Sequence, residues 1–205
     1  MSEREDLVTV ARSLYLRGYT FGTAGNISVR IGERVIISPT NSSFADLVED
    51  GLAEVDMDGV HVAGPKPSKE VPFHLAVYRA RPDANAVVHL HSCHATAVSC
   101  LADLDTADAM PIYTPYYAMR LPCLPVVDYL PPGDAALGPA VEAAAAKSPA
   151  LLLRNHGSIA IGRSLKEASA LAEEIEEQAK LHFLLGSRGR NLTAEQVAEL
   201  RRRFQ

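Results

Sequence analysis

"AVVHLHSCHATAV" (residues 86–98) sets His89, His91 and His94 into an otherwise apolar run. Three of the chain's seven histidines fall in this short segment. "NAVVHLHS" (85–92) reads as a buried strand and "CHATAVSCLAD" (93–103) as the helix that follows it. Side chains alternate faces along a strand, so His89 and His91 point the same way and both imidazoles can reach one ion. Neutral imidazole is a good donor to zinc. The same spacing suits two satisfied core histidines, so the pair alone does not choose between a metal site and a packed interior. His94 lies past the strand end and is expected to face away, at most as a neighbour of a ligand set. Cys93 shares the parity of the pair if the strand continues; a small buried side chain is its more ordinary role.

Working outward, "PALLLRNHGSIAIG" (149–162) reads as two apolar strand segments meeting at "RNHG", with His156 at the junction. Added to the pair, His156 supplies a third nitrogen, and three histidines with an open position make a catalytic zinc arrangement. A carboxylate nearby would serve as fourth ligand or base. Glu70 is the candidate, near the start of the helix in "PKPSKEVPFHLAVYRARP" (65–82), where the helix dipole favours an anion. In that helix Ser68 is expected as N-cap, and Pro72 falls in the first turn, where its missing N–H costs little. Three loops, "TAGN" (23–26), "SPTNSS" (38–43) and "PSKE" (67–70), combine Gly, Ser, Thr, Asn and one Lys in the manner of a phosphate cradle. Each alone is weak, because loops are commonly built of these residues.

The remaining elements are read as a first helix in "EDLVTVARSLYLRGY" (5–19), a hairpin over 27–38 turning at Gly32, and a second over 52–64 turning at Asp58-Gly59. "PIYTPYYAMRLPCLPVVDYLPPGD" (111–134) reads as loop and short strand, and "AALGPAVEAAAAKS" (135–148) as a helix. A long amphipathic helix spans 164–186, and a last one, 192–204, opens on a capping box of Thr193 and Gln196. Helices interspersed with strands and hairpins predict an α/β fold, a mixed sheet covered by helices. No repeat or linker divides the chain, and 205 residues suit one domain, 1–205.

Composition excludes several functions. The net charge of −5 gives no electrostatic support to a nucleic-acid partner, and the basic "RRRF" (201–204) reads as a solvated tail. No run of about 18 apolar residues predicts a membrane span. The charged N-terminus lacks the apolar stretch of a secretion signal, so a cytoplasmic location is expected. Cys93, Cys100 and Cys123 form no C-x-x-C pair and suggest neither a disulfide framework nor a thiolate zinc cage.

Taken together and in order, "GTAGNISVR", "ISPTNSS", "PSKEVPFHLAVYRARPDANAVVHLHSCHATAVS" and "RNHGSIAIG" resemble the class II aldolase/adducin family over nearly the whole chain. The resemblance implies a three-layer α/β fold with a central, mainly antiparallel sheet between helices, and a cyclic homotetramer with active sites between subunits. It implies that His89, His91 and His156 hold one zinc ion. Glu70 binds that ion at rest and transfers protons during the reaction. Gly25, Asn26, Thr40, Asn41, Ser68 and Lys69 match the substrate-phosphate loops. The family usually has Gly where Asn41 stands and often Ser where Lys69 stands, so Lys69 is expected to strengthen phosphate binding or to meet a second anionic group. The stretch from Tyr113 to Asp134 is similar to the branch that decarboxylates a 3-oxo-tetronate 4-phosphate to dihydroxyacetone phosphate and carbon dioxide through a zinc-held enediolate. There Glu70 is the leading acid, Tyr116 or Tyr117 the second candidate, and Arg120 either faces the substrate carboxylate or is a solvated loop arginine. The alternatives are an aldolase for a fuculose- or ribulose-type 1-phosphate and a non-catalytic adducin-like interaction module. The presence of all three histidines and Glu70 counts against the last.

Overall fold

A central eight-stranded sheet organises the chain in a computed structural model that describes residues 2–204. Its strands are β1 (Asn26–Ile31), β2 (Arg34–Ile37), β3 (Ala53–Asp56), β4 (His61–Ala63), β5 (Ala86–Leu90), β6 (Val126–Val127), β7 (Ala150–Leu153) and β8 (Gly157–Gly162). Their order is β4-β3-β2-β1-β5-β8-β7-β6, and all neighbours are antiparallel except β6 and β7. Among the described residues seven α-helices accompany it: α1 (Glu3–Leu16), α2 (Val71–Ala80), α3 (Cys93–Ser99), α4 (Pro115–Arg120), α5 (Leu137–Ala145), α6 (Leu165–Leu185) and α7 (Ala194–Phe204). The expected helix–sheet–helix layering is what is found.

Strand parity divides the core in two. Ile27 and Val29 of β1, Ala86, Val88 and Leu90 of β5, and Ala160 of β8 pack beneath α1, α3 and α6. Val87 of β5, with Ile159 and Ile161 of β8, faces the opposite way, against α2 and α5. His89 has the parity of Val87 and therefore lies on the α2 face. Asn26 and Ser28 have the opposite parity to Ile27 and share that face.

The hairpins turn where glycine allows it: Gly32 and Gly59 both have positive φ, at 58° and 85°. The capping box of α7 is made in both directions, with Thr193 N–H donating to Gln196 Oε1 at 2.9 Å and Gln196 N–H donating to Thr193 Oγ1 at 3.3 Å.

Four local expectations need correction. Ser68 is not the N-cap of α2. Glu70 occupies that position, and Ser68 Oγ accepts from the Glu70 N–H at 3.2 Å just outside the helix. The stretch read as loop around Tyr116 contains α4, because Thr114 caps it by accepting from Tyr117 N–H and Pro115 takes the first turn. Cys93 is exposed at the start of α3, since β5 ends at Leu90 and strand parity no longer applies. "RRRF" is not simply a solvated tail, because Arg201 donates to the carbonyls of Ala118, Leu121 and Pro122 at 3.2, 2.8 and 3.0 Å and fastens α7 onto the end of α4.

Candidate active site

The sheet register builds the site. β5 pairs with β1 on one side and β8 on the other, opposing His89 to Asn26 and to Ile159. His91 sits one residue beyond the end of β5, and His156 immediately precedes β8. The β7–β8 turn is tight, with Asn155 at a φ of 57°. Gly157 is required beside it, because a Cβ there would lie 2.3 Å from the Leu90 carbonyl oxygen. The three imidazoles converge with ring centroids 4.7–4.9 Å apart. Their ligand atoms all lie within 4.8 Å of one another.

Glu70 closes the group from the start of α2. Its Oε2 is 3.5 Å from His89 Nε2 and its Oε1 is 3.5 Å from His156 Nε2. His89 Nε2 and His91 Nε2 are 3.0 Å apart. Four donors around a tetrahedral ion with bonds of about 2.0–2.1 Å stand roughly 3.3 Å from one another, so these distances fit the donor set to a metal. The protonation states fit too. The His89 Nδ1–H donates to the Ser158 carbonyl at 2.9 Å, which leaves the Nε2 lone pair facing the group. Burial, reinforced by His91 and His156, lowers the His89 pKa well below its ordinary value. Burial, His156 and Lys69 bring His91 down to about 4. His156 is lowered by burial and by Lys69, against the opposing pull of Glu70. All three are therefore neutral at pH 7, the ligating form.

Glu70 is itself held from behind. Its Oε2 accepts from Asn26 Nδ2 at 2.6 Å. Asn26 Oδ1 makes a short hydrogen bond with His74 Nε2. His74 Nδ1 is 2.8 Å from Ser28 Oγ, which is 2.7 Å from Tyr78 OH. Burial keeps His74 neutral, with its pKa lowered to about 3. The sequence reading missed His74, Ser28 and Tyr78. Their signal was present: Glu70, His74 and Tyr78 recur at every fourth position from the N-cap of α2, among mostly apolar neighbours, and Asn26 and Ser28 alternate on a strand. Asn26, expected among the phosphate loops, lines the cleft in front of the histidines, and its side-chain amide bonds to Glu70 and His74.

In front of the histidines lies a cleft of about 400 Å³, within the usual range for a small-molecule site. Gly25, Thr40, Asn41, Ser68 and Lys69 line it together with Glu70, His91 and His156, so the three separate loops do meet. Gly25 has a φ of 78°, and a Cβ on it would lie 2.5 Å from the His89 carbonyl oxygen. Asn41 holds a left-handed conformation, φ 57°, which suits a position where glycine is the common choice. Phe21 and Pro132, unnoticed in the sequence, also line the cleft.

The remaining candidates lie elsewhere. Tyr117 is buried beneath α4 with its hydroxyl unpartnered. Tyr116 is exposed on the same helix. Arg120 lines a different depression, beside Arg163 and Lys166. None of the three borders the histidine cleft of its own chain. His94 faces α6, with Nδ1 2.8 Å from Glu176 Oε1, away from the cluster as expected.

The three histidines form a group that could hold a metal ion, and it opens onto a small-molecule cleft. The model of the class II aldolase and adducin N-terminal domain matches residues 5–183, and the chain belongs to that family. Within the family, the chain is 45% identical over 199 residues to the 3-oxo-tetronate 4-phosphate decarboxylase of Pectobacterium atrosepticum, covering 96% of this chain and 91% of that one. It is 36% identical over 182 residues to an L-fuculose phosphate aldolase of Methanocaldococcus jannaschii, covering 89% of this chain and 96% of that one. A crystal structure of an Escherichia coli protein described as an aldolase/epimerase/decarboxylase superposes with a TM-score of 0.94 at 44% identity, covering 97% of each chain. Among the described residues, no helix is long and apolar enough to cross a membrane.

Proposed function

We propose that this chain is a zinc-dependent carboxy-lyase that converts a 3-oxo-tetronate 4-phosphate to dihydroxyacetone phosphate and carbon dioxide in the cytoplasm. One observation carries the reading: a His₃–Glu group and a three-loop anion cradle share one cleft. The 45% identity to the Pectobacterium relative points the shared chemistry toward decarboxylation.

His89, His91 and His156 would hold the ion, with Glu70 as fourth ligand at rest. Bound there, the metal would polarise the substrate ketone and stabilise the electron pair left when carbon dioxide departs. The chain supplies the rest. Gly25, Thr40, Asn41 and Ser68 offer backbone N–H groups and hydroxyls to the phosphate. Lys69 adds a positive charge near enough to depress His91 and His156, so it serves the phosphate or the carboxylate of the same doubly anionic substrate. The C1–C2 bond breaks, its electrons remain on C2, and one proton replaces the carboxylate. Glu70 delivers that proton, because it is the carboxyl group set between the histidines and the cleft. Tyr116 and Arg120 project from α4 and meet a cleft only from a neighbouring copy, as a homotetramer would arrange. Tyr117, buried in its own copy, has no such route.

The second reading, an aldolase for a neutral ketose 1-phosphate, is favoured by the identity to the Methanocaldococcus enzyme. Assaying the zinc-loaded protein on an acidic four-carbon 3-oxo phosphate and on neutral ketose phosphates separates the two. The expected result is carbon dioxide with no aldehyde and, in deuterium oxide, one deuteron in the dihydroxyacetone phosphate. Faster cleavage of a neutral ketose phosphate to an aldehyde would replace the decarboxylase reading with the aldolase one.

A further inference from the structure

Behind Glu70 runs a line of four buried polar groups, Asn26, His74, Ser28 and Tyr78, whose hydrogen bonds have a definite direction. Glu70, His74 and Tyr78 form one stripe of α2; Asn26 and Ser28 are alternate residues of β1, and they interleave with that stripe. Asn26 settles the first links. Its Nδ2 donates to Glu70 Oε2, so its Oδ1 is left as an acceptor, and the His74 Nε2 beside it must carry a hydrogen. An imidazolium is disfavoured, because His74 has no exposed surface and, among the described residues, its ring bonds to Ser28 and Asn26 and not to a carboxylate that would balance a charge. The neutral ring therefore has a bare Nδ1, which accepts from Ser28 Oγ–H. Ser28 in turn accepts from the Tyr78 hydroxyl.

The reversed arrangement fails at its far end. It would need a protonated Oε2 donating to a flipped Asn26 amide, with each later bond reversed in turn. The Tyr78 hydroxyl hydrogen would then have no acceptor, because Ser28 is its sole hydrogen-bond partner among the described residues and its side chain is buried. An orphaned buried donor costs about 1–3 kcal/mol. In the forward arrangement every donor points toward Glu70 and every hydrogen has an acceptor.

We propose that His74, held as its Nε2–H tautomer by Ser28, is a positioning residue: it fixes the Asn26 amide so that Oε2 of Glu70 is permanently engaged as an acceptor and Oε1 is the oxygen left to the substrate. The functional half of this inference rests on Glu70 being the proton carrier. The tautomer half does not. Each link is short, at 2.8 Å or less. The carboxylate is thus prevented from rotating about its last bond, and rotation would exchange the two oxygens. Phe73, buried and stacked on His74 with ring centroids 4.8 Å apart and edge-on to His89 at 5.4 Å, packs between the line and the histidines.

Two measurements test this. In the metal-free protein labelled with ¹⁵N-histidine, a long-range proton–nitrogen correlation reports each ring's tautomer; the His74 signals are those missing from His74→Gln. A protonated Nε2 and a bare Nδ1 are expected. A protonated Nδ1, or two averaged nitrogens, overturns the assignment without reference to substrate or metal. The second measurement compares His74→Gln, which can still donate to Asn26, with His74→Leu, which cannot. Partners that orient a metal site typically matter by 10–100-fold, so His74→Leu should lose roughly that factor in kcat. KM should stay within about threefold and bound zinc at one equivalent, and His74→Gln should recover most of the loss. Equal kcat in His74→Leu and wild type, or a loss that follows zinc content alone, overturns the positioning role. If His74→Leu does not fold, the tautomer measurement and the His74→Gln kinetics still decide. If the wild-type protein releases no carbon dioxide, the proposed reaction fails while the tautomer result stands.

Discussion

The histidine cleft and the segment 111–134 are the two regions to which chemistry was assigned, and the fold treats them differently. The cleft is assembled by backbone. β1, β5 and β8 are neighbours, their register sets His89 opposite Asn26, and glycines at 25 and 157 let two turns press against the His89 and Leu90 carbonyls of β5. Segment 111–134 joins the sheet through two residues, Val126 and Val127, and carries Tyr116 and Tyr117 on the short helix α4. Of the second region, Pro132 alone reaches the cleft. The contrast teaches that a site on sheet strands is complete within one chain, whereas one offered from a surface helix needs something to bring it in.

The strongest attempt to break that contrast removes a histidine. His89→Ala or His156→Ala should abolish both bound metal and turnover and leave the fold largely intact, as read by elemental analysis, rate and circular dichroism. One full equivalent of zinc in either mutant would mean that the group is a packed interior. Glu70→Gln comes next. It preserves shape and metal but cannot cycle a proton, so turnover should fall by about 10²–10⁴-fold. Wild-type rates would move proton transfer away from the cleft and toward a group such as Tyr116.

A smaller effect is expected from Lys69→Ala. It removes charge from the cleft mouth without touching Glu70, so KM for the phosphorylated substrate should rise more than kcat falls. An unchanged KM would take Lys69 out of the anion site. The smallest effect sharpens the other side of the comparison. Tyr117→Phe deletes a hydroxyl that is buried and unpartnered. Turnover should be unchanged and the melting temperature the same or slightly higher, because no hydrogen bond is lost and a desolvated group is removed. A hundredfold loss of rate would show that α4 rearranges to bring Tyr117 to the substrate.

Much of this molecule was legible from its chain. The strand parity of β5, the Gly32 and Gly59 turns, the capping box of α7 and the candidacy of His89, His91 and His156 all follow from local pattern. Local chemistry repeats reliably where a turn needs positive φ or a strand is buried on both faces. Helix α4 was missed because Pro and Tyr dominate its surroundings, and its cap, Thr114, is a single hydroxyl. Arg201 was misjudged because a basic run looks the same whether it meets water or the carbonyl ends of another helix.

The sequence by itself determined the layers of the fold and the residue types able to hold a metal and an anion, since periodicity and donor chemistry are carried by neighbouring residues. Tertiary structure decided how those residues are connected. It alone put Ser28 and Asn26 of β1 between Glu70, His74 and Tyr78 of α2. It also turned the Asn26 amide to Glu70 and left Tyr116, Tyr117 and Arg120 outside the cleft. The physical reason is that hydrogen-bond partners more than 40 residues apart are selected by sheet register and helix placement, and neither is encoded in a short window of sequence.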